Sequence, residues 1–232
     1  MSKEKLLSLE QVNFHYHTQT GFLRTENYRV FSNVTMDVYR GETLAIIGKN
    51  GVGKSTLLRL LAGILVPNSG KLTNYGASIS LLSLQAGFDT QLSGIDNAYL
   101  NGMLLGATKQ EITEKLPDII AFSELGQFMY KPVKNYSAGM RARLGFSIAA
   151  VVNPDIILLD EVLGVGDSHF RKKSEAFILE RIESNQTVVL VSHSSRLVTE
   201  IADRAIWIDD KTIRMQGAPD EVAAAYDEYM SE

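Results

Sequence analysis

Residues 41–65 read "GETLAIIGKNGVGKSTLLRLLAGIL" and contain an apolar run, a glycine-rich segment and a second apolar stretch in direct succession. The run "TLAII" at 43–47 shows no polar alternation, as expected of a strand covered on both faces. Gly48, Gly51 and Gly53 then permit a tight turn, and "TLLRLLAGI" repeats apolar residues at helical spacing. The stretch therefore predicts a buried strand, a loop and a helix whose N-terminus lies at the loop.

The loop fits the pattern G-x-x-x-x-G-K-[ST], whose backbone N–H groups cradle phosphate. In such a loop Lys54 would place a point charge on the β- and γ-phosphates, and Ser55 would offer a hydroxyl to Mg²⁺. The helix N-terminus would add its positive end. A glycine-rich turn without a ligand is the alternative, and the strand before the loop and the helix after it argue against that alternative.

The composition limits the class of protein. The chain has 232 residues, a formal net charge of -4 and no cysteine. Disulfides and thiolate metal sites are therefore excluded, and no general basic field indicates nucleic-acid binding. The N-terminal "MSKEKLLSLEQ" lacks a signal-peptide core, and no apolar run approaches the length of a membrane span. We expect any membrane role to go through a partner.

Continuous apolar strands alternate with helices along the chain, which predicts an α/β fold with a mainly parallel sheet flanked by helices. The early alternating stretch at 6–16 adds an antiparallel β portion. Residues 92–151 are mostly helical and predict a helical subdomain. The core would then consist of about 1–91 and 152–232, the whole forming a single domain.

Two local expectations accompany this fold. Residues 17–29, "HTQTGFLRTENYR", are polar and irregular and predict a loop. Pro117 lies inside the helical block and predicts a break there, because proline removes a helical hydrogen bond and clashes with the preceding turn.

Two further apolar strands end in side chains suited to phosphate chemistry. Asp160 follows the run at 156–159, and the carboxyl end of a parallel strand is where ligands bind. Asp160 would hold Mg²⁺ directly or through water, and Glu161 could polarise an attacking water. His193 ends "TVVLVSH" and is a candidate sensor of the γ-phosphate. A solvated acidic turn and a structural histidine are the plain alternatives, which the phosphate loop makes less attractive.

Residues 135–147, "NYSAGMRARLGFS", place small residues and two cations at the start of another helix. Cations are disfavoured there by the helix dipole, so an anion from outside would explain the arrangement. Ser137 and Gly139 would donate to it as a second anion site. We expect a second copy of the chain to present its phosphates here, with Arg141 and Arg143 attracting that partner surface.

These motifs together resemble the nucleotide-binding subunit of an ABC transporter, a P-loop NTPase with a RecA-like core. The resemblance covers nearly the whole chain and follows the family's order of motifs: the phosphate loop at 48–56, Gln85, "YSAGM" at 136–140, "IILLDE" at 156–161, "GVGD" at 164–167 and His193. It implies ATP and Mg²⁺ as cofactors. It also implies two subunits that sandwich two ATP molecules and drive two polytopic membrane permease subunits.

Longer stretches narrow the resemblance to the branch that exports bacterial cell-surface polysaccharides, which includes O-antigen, capsule and teichoic-acid exporters. They are "GFDTQLSGIDNAYLNGMLLG", "FSELGQFMYKPVKNYSAGMRARLGFSIA" and "DEVLGVGDSHFRKK". The implied substrate is a long glycan on a lipid, and the implied location is peripheral, at the cytoplasmic face of the bacterial inner membrane. The sequence ends at Glu232, so a C-terminal carbohydrate-binding domain is not expected.

Roles carried over from the family fall on individual residues. Residues 48–56 would bind phosphate, among them Asn50 and Thr56. Tyr16 is the candidate for stacking on adenine, ahead of Phe14, Phe22 and Tyr28. Gln85 would sense the γ-phosphate and Mg²⁺, although Gln91 lies nearby. Ser137 and Gly139 would contact ATP on the opposite subunit, and Asp167 would lie in the loop that bridges the subunits. Ala138 and Met140 replace the Gly and Gln of many transporters, as in the polysaccharide branch.

Other classes of function remain as alternatives. A P-loop kinase would need an acceptor pocket and no signature helix, and residues 135–147 count against it. A chromosome-type ATPase would need a long coiled-coil insertion, and a ribosome-type ATPase usually carries two cassettes. A nucleotide-gated module that hydrolyses little is disfavoured by Glu161. Teichoic-acid export, or another ABC export function, is the alternative nearest to the O-antigen or capsule interpretation.

Overall fold

A computed structural model describes residues 3–19, 25–82, 87–152, 154–160 and 167–231. Its strands are β1 (Lys5–Gln19), β2 (Thr25–Tyr39), β3 (Thr43–Ile47), β4 (Ser69–Asn74), β5 (Ile79–Leu82), β6 (Ile156–Asp160), β7 (Thr187–Val191), β8 (Arg204–Asp209) and β9 (Thr212–Gly217). Its α-helices are α1 (Lys54–Leu61), α2 (Gly94–Leu104), α3 (Lys109–Ser123), α4 (Ala138–Val152), α5 (Ser168–Glu183), α6 (Ser195–Ile201) and α7 (Pro219–Ser231). Within the described residues no helix is both long and apolar enough to span a bilayer.

The chain divides into two compact units. The first comprises residues 1–77 and 185–232, and the second comprises residues 78–184. The phosphate loop and His193 belong to the first unit. The helical block at 92–151 and Asp160 belong to the second.

Parallel strands form the centre of the first unit. β3 pairs in parallel with β7 on one side and with β8 on the other, so that Ala45 lies opposite both Leu190 and Ala205. Every residue of β3 and of β7 is buried. The apolar runs of these strands therefore reflect burial on both faces, as the sequence predicted. β9 closes this part of the sheet as an antiparallel partner of β8.

An antiparallel sheet with the order β2-β1-β4 completes the first unit. The expectation of a loop over 17–29 is wrong for its described residues, because β1 and β2 stay paired to Gln19 opposite Thr25. The polar composition reports solvent exposure here, as His17 and Tyr28 are both exposed. Ladder hydrogen bonds come from the backbone, so an exposed ribbon continues without apolar side chains.

The second unit combines a parallel strand pair with packed helices. β5 pairs in parallel with β6, with Leu81 opposite Leu158. Elements α2, α3, α4 and the 3-10 helix Gly126–Tyr130 surround a core cluster that consists of Ala98, Ile119, Leu125, Met129, Val133, Tyr136, Leu144 and Ile148.

Helix α3 continues through Pro117, so the expected break is absent. Its start is fixed by a capping box, in which the Thr108 hydroxyl accepts from the Glu111 N–H and the Glu111 carboxylate accepts from Thr108. Ile112 and Ile119, on either side of the proline, are fully buried. The apolar contacts of both halves stabilise one continuous helix against the lost hydrogen bond.

Candidate nucleotide-binding site

The phosphate loop connects the end of β3 at Ile47 to the start of α1 at Lys54. Gly51 and Gly53 adopt left-handed backbone angles, with φ of 79° and 107°. A Cβ on Gly53 would lie 2.5 Å from Val30 Cγ1, and a Cβ on Gly48 would lie 2.4 Å from the Ile208 carbonyl oxygen. The loop backbone thus packs closely against Ile208 at position 48 and against Val30 at position 53, and only glycine fits at these two positions.

Lys54 is buried, with 7% of its surface exposed. Its ammonium donates to the carbonyl oxygens of Gly48 at 2.7 Å and Lys49 at 3.0 Å. The first turn of α1 contains no acidic residue. A buried cation and a helix N-terminus without acidic residues in its first turn therefore lie together at a glycine-lined loop, which is an environment that favours a bound anion such as phosphate.

Tyr16 lies beside the loop, with its phenolic oxygen 3.2 Å from the Thr56 hydroxyl. Phe14 is buried and meets the Tyr16 ring edge-on at 4.9 Å. Tyr28 is 62% exposed and helps to line a cavity of about 180 Å³ that also includes Gly51. Tyr16 and Tyr28 are thus two aromatic side chains near the loop, whereas Phe22 lies outside the described residues.

His193 follows β7 on a segment held by hydrogen bonds. The Ser192 N–H donates to the Ile46 carbonyl at 3.2 Å, and the Ser194 N–H donates to the Ser192 hydroxyl at 3.0 Å. The Ser194 hydroxyl then caps α6 by accepting from the Leu197 N–H. His193 itself is exposed. Its backbone is therefore anchored to β3, the strand that leads into the phosphate loop.

The structure describes some of the remaining predicted residues of the ATP site but not others. Asp160 is the last residue of β6 and is partly buried. Asn50 and Ser55 are exposed on the phosphate loop and the first turn of α1. Gln85 and Glu161 lie outside the described residues, so their roles stay predictions.

In the second unit, Ser137 immediately precedes α4. Its hydroxyl accepts from the Met140 N–H at 3.1 Å and so caps the helix. Among the described residues, a Cβ on Gly139 would meet only the Ser137 hydroxyl, at 3.8 Å, and Gly139 has no left-handed backbone angle. The fold of this unit does not itself require glycine at position 139.

The two arginines of α4 have partners inside their own unit. The Arg141 guanidinium donates to the Tyr136 carbonyl at 2.8 Å. Arg143 forms ion pairs with Glu124 and Asp167, and its side chain is only 17% exposed. Local carboxylates thus offset the cationic charge near the helix start, where the sequence suggested an anion from outside.

Asp167 serves as the N-cap of α5. Its carboxylate accepts from the N–H groups of His169 and Phe170, at 3.2 and 3.0 Å. The Phe170 N–H, followed by the Arg143 guanidinium, holds the pKa of Asp167 below its ordinary value. This carboxylate stays ionised near neutral pH and fixes the start of α5.

Sequence reasoning missed Glu124, the acidic centre of this ion cluster. Its carboxylate accepts from Lys173 at 2.7 Å and lies 3.5 Å from the His169 ring nitrogen. The hydrogen bond from Lys173 lowers the pKa of Glu124. The cations in "MRAR" and "FRKK" could have indicated that a carboxylate lies near them in the fold.

The strand, glycine loop, buried lysine and helix define a phosphate-loop nucleotide-binding protein. Residues 31–164 match the family model described as ABC transporter, which is more than half of the chain. The chain therefore belongs to the ABC transporter family, whose cassettes are ATP-binding ATPases.

Three relatives illustrate the similarity. An O-antigen export system ATP-binding protein of Myxococcus xanthus is 46% identical over 85% of this chain and 45% of its own length. One of Klebsiella pneumoniae is 39% identical over 96% of this chain and 91% of its own length. A teichoic acids export ATP-binding protein of Bacillus anthracis is 40% identical over 88% of this chain. The chain spans 37% of that last protein.

Solved structures show the same fold at low identity. The ATP-binding cassette MJ0796, in a dimeric post-hydrolysis state bound to ADP and Pi, superposes with a TM-score of 0.74 at 21% identity. That match covers 92% of this chain and 98% of the cassette. An ATP-binding subunit of an ABC transporter gives a TM-score of 0.77 at 19% identity, covering 96% of this chain and 93% of that one. The fold is that of an ABC ATPase cassette, as the sequence predicted.

Proposed function

We propose that the chain is the ATP-binding and ATP-hydrolysing subunit of an ABC transporter that exports a lipid-linked cell-surface polysaccharide of O-antigen or capsule type. The phosphate loop with its buried Lys54 carries the nucleotide part of this proposal. The polysaccharide part is supported by relatives whose names describe O-antigen and teichoic-acid export. Teichoic-acid export is the second candidate, because relatives named for it match at 37–42% identity.

The residues of the first unit suit phosphate binding. In our proposal the loop N–H groups and Lys54 hold the β- and γ-phosphates, Thr56 and Asn50 complete the cradle, and Tyr16 stacks on adenine. His193 contacts the γ-phosphate from the segment anchored to Ile46. Each of these side chains binds or orients, and pre-organised donors of this kind contribute most of the rate in phosphoryl transfer.

Mg²⁺ fits the donor set that the sequence supplies. The Ser55 hydroxyl and the Asp160 carboxylate are hard oxygen ligands, which Mg²⁺ prefers. When bound, the ion neutralises charge on the phosphate oxygens. We propose Ser55, Asp160 and Gln85 as the residues that hold it. Glu161 would take a proton from the attacking water as the general base.

A second copy of the chain completes the site in this proposal. Ser137 and Gly139 would face the phosphates bound by the partner copy, and Asp167 would lie at the contact between copies. Gly139 supports this role, since no packing or backbone constraint from the part of its unit that the structure describes explains a glycine there. A missing side chain lets a ligand approach the helix N-terminus closely.

Two polytopic membrane subunits would receive the motion of the closing dimer. The chain would then sit peripherally at the cytoplasmic face of the bacterial inner membrane. ATP would favour the closed dimer because it contacts both copies only in that state. Hydrolysis would remove those contacts and reopen the dimer.

Size-exclusion chromatography of Glu161→Gln with and without Mg-ATP tests the nucleotide function. Slow hydrolysis should trap the closed dimer and double the apparent mass, and adding Lys54→Ala should abolish the shift. The same run with the membrane subunits present follows if the isolated chain stays monomeric. A chain that neither binds ATP nor dimerises in either setting would falsify the proposal.

Export is tested in the source bacterium. Deletion of the gene should leave lipid-linked glycan inside the cell, and the wild-type gene, but not Lys54→Ala, should restore it to the surface. Analysis of the retained lipid distinguishes an O-antigen or capsule precursor from a teichoic-acid precursor. Normal surface polysaccharide in the deletion strain would contradict the assignment to export.

A further inference from the structure

Helix α7 contacts two segments of the proposed ATP site, both within the first unit. The Lys49 ammonium lies 4.3 Å from the centre of the Tyr229 ring. Two residues earlier on the same helix, the Asp227 carboxylate accepts from the Ser195 hydroxyl at 2.6 Å. Lys49 belongs to the phosphate loop, and Ser195 begins α6 two residues after His193.

The first contact reaches Lys54 in two steps. The side chain of Lys49 lies over Tyr229, while the carbonyl of Lys49 accepts from the Lys54 ammonium at 3.0 Å. The same carbonyl accepts from the Val52 N–H at 3.4 Å. A restraint on Lys49 is therefore a restraint on the turn of the loop and on the position of the Lys54 charge.

An aromatic platform holds Tyr229 in place. Its ring centre lies 5.2 Å from that of Trp207, and the Arg214 guanidinium lies over both rings at 4.2 and 4.6 Å. Arg214 is itself paired with Asp209 at 3.0 Å. Trp207 lies opposite Ile47 in the β3–β8 ladder, directly before the loop begins. The platform is thus continuous with the strand that carries the loop.

The second contact reaches His193. Ser192 is tied to β3, Ser194 caps α6, and Ser195 is tied to α7. His193 thus lies between Ser192, which is hydrogen-bonded to β3, and Ser195, which is hydrogen-bonded to α7.

We propose that α7 is a shared support for the two segments that meet the γ-phosphate, with Tyr229 and Asp227 as positioning residues. Tyr229 acts through Lys49 and orders the phosphate loop. Asp227 acts through Ser195 and orders the His193 segment. This inference rests on the proposed ATPase function and adds an element to it that no ATP-site motif contains.

Substitutions of Tyr229 and of Asp227 should change different kinetic constants. Tyr229→Leu removes the ring beneath Lys49 and should raise KM and the Kd for ATP about 3- to 10-fold, with kcat nearly unchanged. Tyr229→Phe keeps the ring and should stay close to wild type.

Asp227→Ala should lower kcat about 3- to 10-fold with little change in ATP affinity. Asp227→Asn keeps the acceptor oxygen and should retain most of the wild-type kcat. Glu228→Gln, an exposed neighbour, is the matched control.

Trp207 offers a readout independent of hydrolysis, because it is the single tryptophan of the chain. Titration with ADP or ATP should change its fluorescence in wild type and in Tyr229→Phe. The nucleotide-dependent change should be lost or much reduced in Tyr229→Leu. Lys49→Gln should reproduce the effect from the other side of the contact, and the double variant Lys49→Gln/Tyr229→Leu should be no worse than either single variant. Lys49→Gln also carries the test if Tyr229→Leu does not fold.

The outcomes separate the two levels of the proposal. If wild type binds no nucleotide, the ATPase function itself is wrong. If wild type binds and hydrolyses ATP but Tyr229→Leu equals Tyr229→Phe, and Lys49→Gln leaves the Trp207 response intact, Tyr229 does not position the loop. If Asp227→Ala equals Asp227→Asn in kcat, α7 does not support the His193 segment.

Discussion

The ammonium of Lys54 donates a hydrogen bond to the main-chain carbonyl of Gly48 across 2.7 Å, so the lysine of the glycine loop motif closes back on the first residue of that motif. The bond holds a buried cation beside the turn of the loop. The same ammonium also donates to the neighbouring carbonyl of Lys49. A phosphate group offers a charged acceptor in exchange for two neutral ones, which strengthens the hydrogen bonds of the ammonium.

Lys54→Ala should reduce ATP binding and hydrolysis by about 10²-fold or more, because it removes the principal positive charge of the loop. Isothermal titration with ATP and a phosphate-release assay measure the two effects. Lys71→Ala, which removes an exposed lysine from β4, is the control and should change neither. Full hydrolysis by Lys54→Ala would contradict the role of the loop.

Gly53→Ala should destabilise the fold more than Gly51→Ala. Both positions have left-handed backbone angles, which cost a residue with a Cβ roughly 1–2 kcal/mol. At Gly53 the new Cβ would also lie 2.5 Å from Val30 Cγ1, whereas at Gly51 it would have no described atom within 4 Å. Thermal unfolding compares the two, and adding Val30→Ala to Gly53→Ala should recover part of the loss. Equal midpoints for the two single variants would contradict the close approach.

Tyr16→Ala should weaken ATP binding by about 5- to 100-fold, the range expected for the loss of one base–aromatic stacking contact. Tyr16→Phe removes only the hydroxyl near Thr56 and should have a much smaller effect. Tyr28→Ala decides between the two aromatic residues, because Tyr28 lies at a separate cavity beside Gly51. A larger loss for Tyr28→Ala than for Tyr16→Ala would reassign the adenine contact.

Ser137→Arg should block ATP-driven dimerisation in a Glu161→Gln background while leaving ATP binding to the monomer intact. The arginine would fill the space in which the partner's phosphates are proposed to lie. Ser137→Ala loses only the cap on the Met140 N–H, and we expect about 1 kcal/mol of destabilisation from that change. Ser137→Thr keeps the cap and is the control. Normal dimerisation by Ser137→Arg would refute the composite site.

Glu124→Gln should make the protein less stable at neutral pH, with a difference that disappears in acid. The hydrogen bond from Lys173 holds the folded-state pKa of Glu124 below its ordinary 4.5. The stabilisation is therefore complete above that value and is lost as pH falls through the lower folded-state pKa. Urea unfolding from neutral pH to about pH 3 measures the difference in the free energy of unfolding between wild type and Glu124→Gln. The exposed Glu180→Gln is the control, and a pH-independent gap for Glu124→Gln would disprove the linkage.

Local patterns determined much of the fold. The run at 43–47, the glycine loop and the helix after it were predictable, because each depends on the residues of one short segment. The candidate site followed from the same kind of information, since the loop motif specifies its own backbone. The family resemblance then supplied roles for residues such as Gln85 and Tyr16.

The expectations that failed depended on contacts between distant segments. Pro117 stays within a helix because buried isoleucines flank it. The stretch at 17–29 is strand in its described residues because β1 and β2 pair with each other there.

What the sequence by itself determined is the family and the phosphate loop, because a short motif encodes backbone geometry and charge in consecutive residues. What only the tertiary structure decided is which side chains support that loop. Tyr229 lies almost at the other end of the chain from Lys49, and no local periodicity predicts that the two meet. Their contact exists because β8 pairs with β3, and because α7, which follows β9, packs beside the loop.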